Sequence, residues 1–306
     1  MEFMQAYADD EACLQSLWRN RYSPDGEHAH CPRCEQERVF KRYETKQQRQ
    51  SWSCTACSYK LHPTAGTIYH KSSTSLHLWF YATYLMASTR CGISAKQLER
   101  ELGVTYKTAW RMANLIRNVL MEQDTEPMTG PVEVDETLMG GKFTNRNMQG
   151  RSKRMTPQER SARTKEAMAR KTVVMGAVQR GGRVIATVVP NQRKGSLMPS
   201  VVEYVLPQET VYTDELKSYN GLTKAGYQHS RVNHSQAIYV NGDVHTNTIE
   251  GFWALTKNGI RGVYHAVSTK HLQGYLNEYA WRYSHRDDEL AMFETLLLRS
   301  ARPHGG

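Results

Sequence analysis

Two Cys-x-x-Cys pairs, Cys31-Pro-Arg-Cys34 and Cys54-Thr-Ala-Cys57, constrain this chain more than any other feature. Each pair sets two thiolates on one tight turn. The stretch from 35 to 53 is long enough for a hairpin that folds one turn against the other. Four soft ligands converging in this way predict a closed tetrahedral zinc site, a zinc ribbon in the N-terminal part of the chain. A redox Cys-x-x-Cys normally comes singly, beside a βαβ unit, and four cysteine ligands leave no open coordination position, so the zinc is predicted to be structural. Arg33, Arg38, Lys41, Arg42 and Trp52 around it suit contact with phosphates and bases, and equally suit the surface of any small ribbon. The remaining cysteines, Cys13 and Cys91, lie outside the pattern and read as buried apolar thiols.

The chain carries 40 Lys and Arg against 30 Asp and Glu, a net charge of +10. An excess of that size favours a polyanionic partner, nucleic acid or an anionic surface. The longest apolar stretch, Leu78 to Ala87, falls far short of the roughly 20 residues a spanning helix needs. The N-terminus has neither a basic n-region nor an apolar h-region, so no membrane role and a cytoplasmic location are expected.

The pattern of apolar residues divides the chain. Residues 1–70 read as an N-terminal helix, ended by Pro24, followed by the zinc ribbon. Residues 71–126 read as helical, with a break at Gly92. Beyond a linker near Thr125–Gly130 the periodicity changes from 3.6 to 2. Val132 to Leu138, Thr172 to Val178, Arg183 to Val189 and Thr210 to Asp214 read as strands, with Gly181-Gly182 as a hairpin turn. Helical patterns follow at His245 to Asn258 and His271 to Tyr283. Residues 127–290 are therefore taken as one α/β domain and 291–306 as a C-terminal tail. A segment from 142 to 171 carries ten Lys or Arg against two acids. It reads either as a solvated insertion or as a DNA contact.

Within the helical region, Gly92 to Met112 reads as two short helices around a tight turn. Ser94 can cap the first, with Gln97 completing a capping box, Gly103 permits the turn, and Thr105 can cap the second. Ile93, Leu98, Leu102, Val104, Ala109 and Met112 form an apolar seam. That leaves Tyr106, Lys107, Trp110 and Arg111 near the start of the second helix, where a helix-turn-helix contacts DNA. A plain helical hairpin would share much of this pattern.

In the α/β domain, Asp135 and Asp214 each end an apolar strand and Glu250 lies on a helix. Two strand-end carboxylates and one helix carboxylate can build an oxygen-rich pocket suited to two Mg²⁺ ions. Glu133 and Glu136 flank Asp135 and are assigned to the opposite side of the strand. His229, His234 and His245 flank the pocket residues and read as structural histidines. Phe252 and Trp253 read as core.

Taken together, Cys31-Pro-Arg-Cys34, Ala65-Gly-Thr-Ile68, Gly92-Ile-Ser-Ala95, Val132-Glu-Val-Asp-Glu136, Thr213-Asp214, Asn247-Thr-Ile-Glu250, Phe252-Trp253 and Lys257-Asn-Gly-Ile-Arg-Gly262 occur in the order of a known family. Over residues 6 to 285 the chain resembles the DDE insertion-sequence transposases with an N-terminal zinc ribbon, the ISXO-two-like family. The resemblance implies a multidomain α+β protein whose second half is an RNase H-like α/β catalytic domain. It implies Asp135, Asp214 and Glu250 as metal-binding catalytic acids, with Asn247, one turn before Glu250, as the competing third position. It implies that Lys257 contacts the DNA end. Terminal inverted repeats and target DNA would be the partners, handled by a homodimer or larger synaptic complex. Alternatives from other classes are a zinc-ribbon regulator that needs no carboxylates, an RNase H-like nuclease that cuts without joining, and a transposase that has lost activity.

Overall fold

The computed structural model describes residues 2–43, 51–140, 156–159, 161–162, 171–232, 245–288 and 291–304. His234 and most of the basic segment 142–171 lie outside the described residues. The chain divides into two compact units, Met1–Met121 with Asp288–Gly306, and Glu122–Asp287. Among the described residues no helix is long and apolar enough to cross a membrane.

The first unit begins with helices α1 (Glu2–Ala6) and α2 (Asp10–Arg21). Asp9 caps α2 by accepting from the Ala12 amide at 2.8 Å. A four-stranded antiparallel sheet follows, β1 (His28–Cys31), β2 (Gln36–Tyr43), β3 (Ser51–Cys54) and β4 (Lys60–Leu61), in the order β1-β2-β3-β4. Leu14 and Trp18 of α2 complete its core with Ala29, Phe40, Trp52 and Leu61. The Trp18 and Trp52 rings stack at 4.6 Å. Helix α3 (Leu76–Ser88) is apolar on most sides because neighbours cover it: Trp79, Phe80, Ala82 and Met86 are wholly buried. Helices α4 (Ala95–Leu102) and α5 (Tyr106–Leu115) carry the caps read from sequence. Ser94 accepts from the Gln97 amide at 3.2 Å and Thr105 from the Thr108 amide at 3.3 Å, while Gly103 takes the left-handed turn at φ 63°. Residues after 291, read from sequence only as a tail, form a helix, Met292–Ser300, whose Phe293 packs edge-on against Phe3 at 5.5 Å and Tyr84 at 5.5 Å.

The second unit is a mixed α/β layer structure. Its strands are β5 (Val132–Met139), β6 (Thr172–Gln179), β7 (Val184–Val189), β8 (Thr210–Thr213) and β9 (Gln228–Arg231), in the order β7-β6-β5-β8-β9. β7, β6 and β5 are antiparallel, whereas β8 and β9 run parallel to β5. Helix α6 (Lys194–Tyr204) covers one face, and α7 (Asn247–Gly259) and α8 (Thr269–Ser284) the other. Alternation sorts the strands between them. Val132 and Val134 of β5 and Met175 and Ala177 of β6 pack toward α6; Met139, Val174 and Val178 pack toward α7 and α8.

One glycine sets how closely α7 approaches. Gly176 pairs across the ladder with Asp135, and a Cβ there would meet Trp253 Cζ2 at 2.5 Å and Ile249 Cδ1 at 3.0 Å. The missing side chain is what lets the Trp253 ring lie against the sheet. Gly176→Ala should therefore cost about 1–3 kcal/mol by overpacking, read as a lower unfolding midpoint with altered tryptophan emission. An unchanged midpoint and spectrum would mean that α7 does not rest on this position.

Candidate active site

Parallel pairing brings two acids together. β5 and β8 pair as Val132 with Val211 and Glu133 with Tyr212, so two residues further along each strand Asp214 stands beside Asp135. Helix α7 then crosses over Asp135. Trp253 Nε1 donates to Asp135 Oδ2 at 3.0 Å, fixing the carboxylate between strand and helix. Glu250 lies in the first turn of α7, where its oxygen accepts from Thr246 Oγ1 at 3.1 Å. Lys257 follows two turns later on the same face of the helix. Asp135, Thr137, Asp214, Thr246, Glu250, Trp253, Ala254 and Lys257 line a single open cleft of ≈ 470 Å³. Asn247 is exposed and is not among these lining residues.

Carboxylate oxygens of Asp135, Glu136 and Asp214 all lie within 4.8 Å of one another and can hold a cation. Glu136 reaches this cluster from the α6 side, held by Tyr219 OH at 2.8 Å and Gln192 Nε2 at 3.2 Å. Glu250 lines the cleft from α7 without joining the cluster. Burial, and then the charges of Glu136 and Asp214, push the Asp135 carboxyl up to about 7. Burial likewise raises Glu136, and burial with the adjacent Glu136 charge raises Tyr219 well above its usual value. Burial lowers Lys257, countered by Asp135 and reinforced by Arg261 and Lys171. Hard oxygen donors crowded at a cost in repulsion are the chemistry that suits a divalent cation.

Two acids dismissed from the sequence prove to be built into the site. Glu133 was assigned to the side of β5 away from Asp135. Residues two apart on a strand share a face, so Glu133 points with Asp135 toward α7 and is completely buried there. The strand's period of 2 carries that signal in the sequence. Glu136 does lie on the other face, toward Tyr219, but β8 ends at Thr213, and beyond that end the Glu136 oxygens meet those of Asp135 and Asp214. His229 contacts Thr213 Oγ1 at 2.9 Å through Nε2 and is not among the cleft residues. His245 Nδ1 lies 3.1 Å from Glu133 Oε1. Phe252 and Trp253 are both buried, and Trp253 is a cleft wall as well as core.

The four paired cysteines come together as the spacing predicts. All four sulfurs lie within 4.8 Å, with Cys31 and Cys57 3.5 Å apart and Cys34 and Cys54 4.0 Å apart. A tetrahedron with Zn–S bonds of about 2.3 Å has edges near 3.8 Å, so the cluster can hold zinc. Each knuckle closes by a backbone bond, Glu35 N to Cys31 O at 2.8 Å and Ser58 N to Cys54 O at 2.9 Å, and ends in a left-handed residue, Glu35 at φ 54° and Ser58 at φ 60°. Burial raises the Cys54 thiol, but the amides of Cys57 and Ala56 together with the thiols of Cys57 and Cys31 draw it down to about 7. Cys13 is buried as expected; Cys91 is exposed, because it falls in the turn after α3 instead of on a packed face. On α5, Tyr106, Lys107 and Arg111 are exposed and Trp110 is half-buried.

The second unit is thus a mixed α/β domain with a carboxylate-lined cleft able to take divalent cations. Its residues 127–284 match the ISXO2-like transposase domain, and the chain belongs to that family. It is 28% identical over 272 residues to an uncharacterized protein in the transposable element ISH50 of Halobacterium salinarum, covering 88% of this chain and 87% of that one. It is also 32% identical over 105 residues to an uncharacterized transposase-like protein of Haemophilus influenzae, covering 34% of this chain and 84% of that one.

The raised Asp135 carboxyl has a consequence for stability. A carboxyl whose pKa rises on folding penalises the folded state above its unfolded value near 3.8, with the full penalty reached above about 7. Asp135→Asn should therefore melt higher than the wild type at pH 8 without added cation, by up to a few kcal/mol, and the difference should vanish near pH 4. Calorimetry at the two pH values checks this; a destabilised variant at pH 8 would mean that burial and the neighbouring acids do not penalise the Asp135 charge.

Proposed function

We propose that the chain is a DDE-type DNA transposase that cleaves the ends of an insertion sequence and joins them to target DNA. The observation that carries this reading is the convergence of Asp135, Asp214, Glu250 and Lys257 on one cleft, from two strands and a helix. Three antiparallel strands extended by two parallel ones, with helices on both faces, support an RNase H-like fold for this unit. The capped pair α4 and α5 supports a helix-turn-helix, with Tyr106, Lys107, Trp110 and Arg111 set to meet DNA. The four thiols support a structural zinc ribbon.

Asp135, Asp214 and Glu250 would hold the divalent ions, two Mg²⁺ in this reading, with Glu136 adding donor oxygens from the far side. When bound, such ions supply Lewis-acid charge to the attacking and leaving oxygens of an in-line displacement. The chain's own residues arrange the reactants. Trp253 fixes the Asp135 carboxylate, Thr246 orients that of Glu250, and the Lys257 ammonium pairs with a phosphate of the element's end. In the first step a water oxygen attacks the phosphorus at the end, the P–O3′ bond breaks, and a free 3′-hydroxyl and a 5′-phosphate result. In the second that hydroxyl attacks a target phosphorus, forming a new phosphodiester as the target's P–O3′ bond breaks and leaves a target 3′-hydroxyl, so no covalent protein intermediate is needed. The excess of cations over acids supplies affinity for the backbone. Joining two ends calls for a homodimer or larger synaptic complex.

Labelled end DNA and supercoiled target in Mg²⁺ should give joined products with the wild type. Asp214→Asn and Glu250→Gln should each lower joining by roughly a hundredfold or more, while Asn247→Ala changes it little. Cleavage without joining would make the protein a nuclease, and joining that survives Glu250→Gln but not Asn247→Ala would exchange the third acid for Asn247. Separately, Cys34→Ser should remove stoichiometric zinc by elemental analysis and abolish end binding, while divalent cations still stabilise the second unit. Retained zinc would break the ribbon assignment.

A further inference from the structure

Helix α7 carries Glu250, Trp253 and Lys257 to the cleft, yet it has no cap of its own. Thr246, the residue before its first turn, makes no side-chain capping bond. The first amides of a helix need an acceptor when they are shielded from water. Here the acceptor comes from a different element. Glu133 of β5 takes the Thr248 amide at 2.9 Å and the Ile249 amide at 3.0 Å on Oε2, and the Thr248 hydroxyl at 2.9 Å on Oε1. Its side chain is fully buried, and Arg180 Nε donates to Oε1 at 2.8 Å. Arg180 also donates to the carbonyl of His245 at 2.9 Å, tying down the residue that leads into the helix.

We propose that Glu133 is a positioning residue that docks the first turn of α7 onto β5 and thereby sets Glu250 relative to Asp135. The proposal rests on the transposase reading for its consequence in catalysis, but its physical content concerns cation binding alone. Glu133 and Asp135 are two residues apart on one strand and grip α7 at two heights, at the first-turn amides and, one turn later, at the Trp253 indole. Two such points fix both the height and the rotation of the helix. A buried carboxylate is costly unless its charge is answered, and here Arg180 and the positive helix end both answer it. With the charge removed, the first turn has weaker acceptors, and Glu250, which sits in that turn, is the cleft residue that moves most. The Asp135–Trp253 bond, further along, is less affected.

The test uses the full-length protein and Mn²⁺ as probe. Mn²⁺ binding is followed by electron paramagnetic resonance, alongside end cleavage, end-DNA affinity and melting temperature, for Glu133→Gln, Glu133→Asp and Thr248→Val. Glu133→Gln should weaken Mn²⁺ binding about tenfold and lower the cleavage rate more than it changes end-DNA affinity; raising Mn²⁺ should recover part of the rate. Thr248→Val, which removes only the hydroxyl bond, should move the same quantities in the same direction by less. Glu133→Asp, shorter but charged, should fall between. Folded Glu133→Gln protein with unchanged Mn²⁺ affinity overturns the proposal. Should Glu133→Gln not fold, unaltered Mn²⁺ affinity in both Thr248→Val and Glu133→Asp overturns it equally. If the wild type binds Mn²⁺ at the cleft yet neither cleaves nor joins end DNA, the transposase reading fails while the positioning role is still decided by the binding series.

Discussion

The burial of the Asp135 carboxylate beside Glu136 and Asp214, where the parallel strands β5 and β8 run side by side, is the constraint on which the second unit depends. Asp135 and Asp214 are brought side by side by strand register, with Glu136 in reach from the opposite face, and burial makes their mutual charge expensive. Such an arrangement persists only because the rest of the unit is strongly over-determined. The sheet is covered on both faces, and α7 is held to it by a glycine-permitted tryptophan contact, an indole hydrogen bond and a buried carboxylate cap. Stability spent on holding acids together is the usual signature of a site that has work to do on a charged partner.

The two acids nearest Asp135 divide the labour according to the pleat of the strand. Glu133, on the same face, is answered by Arg180 and by helix amides, so its charge is neutralised inside the protein and it serves the architecture. Glu136, on the other face, is held by neutral donors from Tyr219 and Gln192, so its charge remains for a cation to answer. The cysteine cluster of the first unit meets the same problem with softer chemistry: the crowded groups are thiols, and the knuckle amides with the neighbouring thiols favour the thiolate of Cys54. Each site is thus shaped by whichever charges the protein does not compensate itself.

Much of the fold was legible in short-range pattern. Spacing of the cysteines led to the four-sulfur cluster, the Ser94, Gly103 and Thr105 signals led to two capped helices, and period-2 runs located β5 to β8. Elements without such a pattern were missed. β9 is polar, Gln-His-Ser-Arg, because it lies at the edge of the sheet, and α6 spans a mixed sequence containing Pro199. The helix after residue 291 was read as a tail because its burial depends on aromatic partners at the other end of the chain, Phe3 among them. Cys91 was placed inside on residue type alone, and a turn position exposes it.

What the sequence by itself determined are features carried by neighbours along the chain: the cysteine knuckles, the helix caps and the strand alternation. These depend on a few consecutive residues whose dihedrals and side-chain spacing are local. Asp214 does follow the end of β8, but Asp135, read as ending its strand, lies inside β5. Only the tertiary structure decided which acids share a space, that Glu133 caps a helix more than a hundred residues away, and that Glu136 joins Asp135 and Asp214. Such contacts follow from strand order and from where α7 lands on the sheet, and both are set by burial summed over the whole unit. No single stretch of the chain contains that sum.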